Sequence, residues 1–309
     1  MKGTVYKSTG SWYTVKTEQG NFHECRLKGK FKIKGIKNTN PVAVGDLVVF
    51  ELDNKGNEET GVINKIVKRD NYIIRKSVKL SKQTHIIAAN IDIAFLLVTL
   101  NNPITYTTFI DRFLVTAKAY SIKSVLLFNK IDSYTQKQLD EVNYLVDLYR
   151  KIGYECLIIS AKKEYQIDKV KLFMKGNVCV FSGHSGVGKS TLINALEPQL
   201  NIKTKEISEQ HLQGQHTTTF AEMYDLSFGA QIIDTPGIKG FGIVDMDSEE
   251  LGDYFSEFFK LKGQCKFNNC LHLEEPKCAV KKALENGDIA WSRYRSYKQI
   301  MKGEEDTYR

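Results

Sequence analysis

The sequence has no stretch apolar enough to cross a bilayer. Its longest apolar run, Ile93 to Leu100, falls far short of the roughly 20 residues a spanning helix needs. The opening residues, MKGTVYKSTGSWYTVK, lack the apolar centre of a secretory signal. A cytoplasmic address without a membrane partner is therefore expected. Internal repeats and low-complexity tracts are also missing, which sets aside repeat arrays. Acid is scarcer than base: 36 Asp and Glu against 44 Lys and Arg, a net charge of +8. That balance leans towards an anionic partner, nucleic acid before membrane. Only six cysteines occur, and in a reducing compartment a cluster of them points to metal before disulfide. At 309 residues, 42% apolar and 26% charged, the chain can fill two or three cores of an ordinary globular protein.

Residues 1–75 read as short strands, GTVYKS, WYTVKT, FHECRL, DLVVFEL and GVINKIVK, parted by Gly, Asn and Asp turns. Regular spacing of this kind predicts a small five-stranded barrel. Within it, RLKGKFKIKGIK carries six basic residues between Arg26 and Lys37 and no acid. Alternate residues of a strand share a face, so Lys28, Lys30, Lys32 and Lys34 would form one basic row. Two readings fit it: an RNA-facing row, or a solvated edge that resists aggregation. RKSVKLSK, Arg75 to Lys82, reads as a basic linker.

Beyond it the pattern becomes buried strands alternating with helices, a βαβ architecture from about 80 to 245. The strands are IDIAFLLVTL, SVLLFNK, YECLIIS and NVCVFSG. Leu139, Val142, Leu145, Val146 and Tyr149 have helical spacing and precede a stop at Gly153. Over 246–309, DSEELGDYFSEFFKL and AWSRYRSYKQIMK read as helices flanking a cysteine cluster.

The chemistry begins at GHSGVGKS, Gly183 to Ser190, between the strand VCVF and the helical TLINALE. This is the setting a phosphate-binding loop requires. Gly183, Gly186 and Gly188 let the backbone N–H groups of the His184, Ser185, Val187 and Thr191 stretch close around phosphates. Lys189 would reach the β- and γ-phosphates and Ser190 would hold Mg²⁺.

The base is a separate question. Asp132, closing the NKID of Asn129 to Asp132, can accept from guanine N1–H and N2–H₂, a donor pair adenine lacks. Asn129 would complete that contact and Lys130 would cover the ring. One βα unit later, Ser160, Ala161 and Lys162 end a strand, where the Ala161 N–H can meet guanine O6. DTPG, Asp234 to Gly237, supplies a water-mediated Mg²⁺ contact through Asp234 and a γ-phosphate-sensing N–H at Gly237. QGQHTTTF lies between, and one of its threonines, taken here as Thr218, completes the Mg²⁺ shell. GTP with Mg²⁺ is thus the expected ligand. The order is base, base, phosphate, threonine, DTPG, a GTPase opened at a new point in its sheet. Because every strand end still faces one crevice, such a rearrangement leaves the site intact. Opening after DTPG also runs the γ-phosphate-sensing segment directly into the C-terminal region.

Cys265, Cys270, His272 and Cys278 offer three thiolates and an imidazole within 14 residues. That is a complete tetrahedral Zn²⁺ set with no open position, hence a structural metal. The remaining cysteines are scattered singly, and His23, His85, His184 and His211 read as surface or satisfied residues.

In this order, NKID, SAK, GHSGVGKST, EIS…HTTTF, DTPG, the zinc spacing and a helical RYRSY tail make almost the whole chain resemble the circularly permuted, RsgA-type GTPases of bacterial small-subunit assembly. The resemblance implies a multidomain α/β protein of three parts. These are an OB-fold RNA-binding barrel at 1–75, a circularly permuted P-loop GTPase domain at 76–245 and a helical zinc-binding domain at 246–309. It further implies a monomer that binds the small (30S) ribosomal subunit and its 16S rRNA late in assembly and hydrolyses GTP to GDP with subunit-stimulated turnover. His216, before the triple threonine, matches the family's catalytic histidine. The position where Ras-like enzymes carry a water-orienting glutamine is Ile238 here, so another polar group must do that work. Two positions depart from the pattern: Gln215 stands where relatives often carry a basic residue, and Gly186 where potassium-dependent GTPases carry asparagine. The competing readings are a zinc-containing RNA-binding scaffold with negligible hydrolysis and a GTPase acting on tRNA.

Overall fold

Alternation in the first strands decides which side faces inward: Tyr13, Val15 and Thr17 are buried in YTVKT while Thr14 and Lys16 between them are not. The computed structural model describes residues 1–28, 41–53, 60–76, 84–200, 221–234 and 247–303. Among these, no helix is long and apolar enough to cross a membrane. They form two compact units. The first takes the described residues of 1–94, 171–181 and 197–238, the second those of 95–170, 182–196 and 239–309.

The first unit contains the expected five-stranded barrel. Its strands are β1 (Lys2–Ser8), β2 (Tyr13–Thr17), β3 (Phe22–Leu27), β4 (Leu47–Asp53) and β5 (Thr60–Ile66). They pair in the order β1-β2-β3-β5-β4 and close through β1–β4, around Val5, Tyr13, Val15, Cys25, Val48, Phe50 and Ile63. Of the expected basic row, Lys28 follows β3 as exposed coil, and Lys30, Lys32 and Lys34 lie outside the described residues.

RKSVKLSK does not begin as a linker. Arg75 and Lys76 end β6 (Tyr72–Lys76), which pairs antiparallel with β7 (Thr84–Ala89), because Ile73, Ile86 and Ala88 all go inside. The boundary expected at residue 75 therefore falls within a strand. The remainder of that stretch is outside the described residues.

Nor does the barrel stand by itself. Strand β12 (Glu222–Leu226) pairs antiparallel with β1 on one side and with β13 (Ala230–Asp234) on the other. Tyr6 Oη donates to Asp225 at 2.7 Å, Gln231 Nε2 donates to Tyr6 Oη at 2.7 Å, and Lys16 pairs with the same carboxylate. β13 in turn runs parallel to β11 (Val178–Ser182).

In the second unit the sheet runs β10 (Glu155–Ile158), β9 (Lys123–Phe128), β8 (Ile93–Val98). Strands β9 and β10 are parallel, and β8 is buried along its whole length. Helices α1 (Thr107–Ala119), α2 (Gln136–Lys151) and α3 (Ile167–Met174) follow β8, β9 and β10, and α4 (Lys189–Leu196) follows β11. A capping box between Thr135 and Gln138 starts α2, satisfying donors the helix cannot satisfy itself.

The expected helix over 247–261 is two pieces. A 3-10 turn covers Leu251–Tyr254, α5 covers Ser256–Lys262, and Phe255 between them is extended. That break lets the Phe255 side chain bury fully against Phe258 and Tyr297. α6 (Ala279–Glu285) and α7 (Trp291–Met301) complete the chain's described elements. The core of this segment is built from its own residues, Phe255, Phe258, Val280, Tyr294 and Tyr297 among them, and Val115 of α1 packs into it.

Candidate functional site

Three loops of the second unit meet at Asn129, which is almost fully buried at the end of β9. Its Nδ2 donates to the Val187 carbonyl of the glycine loop at 3.0 Å. Its Oδ1 accepts from the Ala161 N–H at 3.0 Å. Gly188 makes this approach possible: its φ is +104°, and a Cβ there would lie 2.5 Å from Asn129 Nδ2. At Gly183 a Cβ would sit 2.9 Å from the Leu97 carbonyl oxygen. Both glycines are demanded by contact as well as by φ.

Lys130 adopts a left-handed conformation, and its ammonium donates to the carbonyls of Asn102 and Gly186, each at 2.7 Å. Burial pushes its pKa down, against the pull of the Asp132 carboxylate. Asp132 itself is exposed and accepts from Ser160 Oγ at 2.5 Å. Ser160 is buried, and its Oγ also accepts from the Lys163 N–H at 3.1 Å. The carboxylate is thus aimed by a buried hydroxyl while its face stays open to solvent. Lys162 is exposed.

In the glycine loop, Lys189 Nζ donates to the carbonyls of Gly183 at 2.5 Å and His184 at 3.0 Å. The ammonium is thus tied to two carbonyls of its own loop. Ser185 and Gly186 are exposed, Val187 is fully buried, and Ser190 and Thr191 open α4.

The structure therefore brings together Asn129, Lys130, Asp132, Ser160 to Lys162 and Gly183 to Thr191. Asp234 ends β13 in the first unit. His216, Thr218 and Gly237 lie outside the described residues. One detail differs from expectation. The Ala161 N–H, expected to meet guanine O6, already donates to Asn129, so a base would have to share that donor.

Other site-building residues gave no sequence signal. Tyr134 Oη donates to the Asn129 carbonyl and accepts from the Leu100 N–H, both at 2.8 Å. A cis bond joins Asn102 to Pro103 beside the loop. His184, read as a surface or satisfied residue, packs its ring against Phe109 of α1 with centroids 4.0 Å apart and a 32° tilt.

The second cluster is the cysteine–histidine set. Its four donor atoms lie within 4.8 Å of one another. A tetrahedral Zn²⁺ spaces its sulfur and nitrogen donors about 3.6–3.8 Å apart. His272 Nδ1 lies 3.3 Å from Cys278 Sγ and 3.7 Å from Cys265 Sγ, so the donor set fits. In the protein alone, burial pushes Cys270 up to about 12 and Cys278 upward, and pushes His272 down. A neutral imidazole has the lone pair a metal requires. The Ala279 and Lys281 N–H groups point at the sulfurs of Cys265 and Cys278, at 3.4 and 3.5 Å, ready to stabilise thiolates. α7 braces the loop: Tyr294 Oη donates to the His272 carbonyl at 2.8 Å and Tyr297 Oη to that of Leu271 at 2.6 Å.

Family models for the RsgA GTPase and the RsgA N-terminal domain match residues 66–244 and 2–63. A relative from Christiangramia forsetii, named small ribosomal subunit biogenesis GTPase RsgA, is 71% identical over all of this chain and 98% of its own length. One from Flavobacterium johnsoniae with the same name is 66% identical over all of this chain and 95% of its own. Among solved structures, YjeQ from Thermotoga maritima matches with a TM-score of 0.78 and 35% identity, covering 98% of this chain and 97% of that one. YloQ, described as a circularly permuted GTPase, matches with a TM-score of 0.75 and 30% identity over 99% and 96% of the two chains.

Proposed function

The chain belongs to the RsgA GTPase family, and from that membership we propose that it hydrolyses GTP to GDP and phosphate in the biogenesis of the small ribosomal subunit. The observation that carries this reading is the convergence of NKID, SAK and the glycine loop on Asn129. Those loops follow one another in the order base, base, phosphate. Asp132 reads guanine, Lys130 covers it, and the glycine loop with Lys189 receives the phosphates. Ser190, Thr218 and Asp234 would hold Mg²⁺, which when bound offsets charge between the β- and γ-phosphates. Cys265, Cys270, His272 and Cys278 would hold one structural Zn²⁺. The protein works as a cytoplasmic monomer that contacts the 16S rRNA of the small subunit, the basic N-terminal barrel being one of the surfaces that does so.

His216 is the residue proposed to orient the attacking water. Ile238 has no polar atom for the task, and a neutral imidazole can accept a hydrogen bond from water and align it in line with the γ-phosphate. Segments that carry such groups are commonly ordered by γ-phosphate and Mg²⁺, and an RNA surface can complete that ordering. Phosphate release should therefore be slow for the protein alone and faster with small subunits, the turnover number rising more than GTP affinity changes. His216→Ala should keep GTP and subunit binding and lose stimulation on the order of 10²-fold. Full stimulated hydrolysis in the variant would reject His216. Absence of turnover in the unaltered protein with subunits would leave an RNA-binding scaffold.

A further inference from the structure

Helix α1 is held on one side and presses on the glycine loop with another. Thr108 and Asp111, three residues apart, share one face of the helix. Both are gripped by α7: Thr108 Oγ1 donates to Gln299 at 2.8 Å, and Arg293 Nη1 donates to Asp111 at 2.5 Å. Asp111 and Arg293 are buried to about 1% exposure or less. Tyr149 adds a second donor to Asp111 at 2.8 Å, and Glu257 accepts from Arg293 Nε at 2.7 Å. The guanidinium also lies over the Phe255 ring, 4.5 Å from its centroid. Charges paired in a dry setting tolerate little displacement, since losing Arg293 would leave both Asp111 and Glu257 without their cation. The register of α1 against α7 is thereby set. Phe109, between the two gripped residues in sequence, turns to a different face, and its ring lies against His184, centroids 4.0 Å apart and tilted by 32°. His184 is the second residue of the glycine loop, and its carbonyl is one of the two that hold Lys189.

We propose that Phe109 is a positioning residue for the phosphate loop: it fixes His184, and through it the Lys189 ammonium, at a place set by the grip of α7 on α1. This inference rests on the reading of the loop as a GTP site. It assigns nucleotide affinity in part to a residue that touches no nucleotide, and makes the C-terminal helix a support of the phosphate loop. The contact acts first on the phosphate end, because His184 stands at the start of the glycine loop, whereas the Asp132 carboxylate is aimed by Ser160 Oγ and the Asn129 backbone is held by Tyr134.

The test compares ligands that differ only in phosphates, on the full chain: GMP, GDP and a non-hydrolysable GTP analogue, with GMP measured by competition against fluorescent GDP. An aromatic pair is worth enough to change affinity about two- to tenfold. Phe109→Ala should weaken GDP and the GTP analogue by that factor and leave GMP unchanged, with Phe109→Tyr restoring both. His184→Ala should give the same loss, and the double variant no further loss. Phe109→Leu, which keeps apolar bulk without the ring, serves where the alanine variant does not fold. Equal losses for all three ligands, additive losses in the double variant, or no loss would each overturn the proposal. Failure of the unaltered protein to bind GTP would instead overturn the functional reading beneath it.

Discussion

Asn129 uses both ends of its amide on protein partners, the Val187 carbonyl and the Ala161 N–H, and so works as the knot of the site. In the proposed site the base is read by Asp132, whose carboxylate is exposed and accepts from Ser160 Oγ. Asp132→Asn keeps an acceptor for that hydroxyl but replaces the second carboxylate oxygen with a donor. GTP should weaken by on the order of 3 kcal/mol or more, the worth of a charge-assisted pair left unmatched. Xanthosine triphosphate, with a C2 carbonyl that suits an amide donor, should gain. Calorimetry with both nucleotides checks this, and unchanged GTP affinity would remove NKID from the site.

At the scale of elements, the loop between α5 and α6 has little regular structure to stabilise it. Glu275 accepts from the N–H groups of Leu271 and Leu273 at 2.8 and 2.9 Å, and the tyrosines of α7 tie down the carbonyls. The four converging donors of Cys265, Cys270, His272 and Cys278 form a set that could hold a metal ion there. Elemental analysis of protein purified without added zinc should find one Zn²⁺ per chain. Cys270→Ala should make the C-terminal segment protease-sensitive, since zinc-linked folding energies in small modules are on the order of 10 kcal/mol. A metal-free protein with that segment protease-resistant would rule the site out. The other cysteines provide an internal reference: burial pushes Cys25, Cys156 and Cys179 up to about 12, so they should resist alkylation at neutral pH with or without chelator.

For the whole molecule, the relevant quantity is charge. A net +8 favours association with a polyanion, and neutralising phosphates releases counterions, so binding to small subunits should fall steeply as salt rises. Lys28, Lys30 and Lys32 test where that charge acts. Reversing all three to Glu should weaken subunit binding in a sedimentation assay and leave GTP affinity unchanged. Full subunit binding by the triple variant would return the row to the role of a solvated edge. The barrel is not a detachable arm in this arrangement, for β1 is paired to β12, and β13 beyond it ends at Asp234.

What the sequence determined by itself is whatever depends on near neighbours along the chain. Short runs parted by regularly spaced Gly, Asn and Asp turns marked all five barrel strands, and an apolar strand before Gly183 with a helical run after it placed the glycine loop. Cysteine spacing marked four donors that do converge. Each of these follows from backbone geometry acting over a few residues. Partners distant in sequence were another matter. Phe109 and His184, Asp111 and Arg293, and Tyr6 and Asp225 are each ordinary residues where they stand, and only packing makes them neighbours. The same holds where local pattern misled. Residues 247–261 have helical composition, but burying Phe255 required an extended residue in the middle. Arg75 and Lys76 look like linker, but the hydrophobic faces of β6 and β7 had to be covered. Periodicity reports which side of an element is apolar; which other element covers that side is decided by the competition among all such faces for burial, and that is settled only in the folded chain.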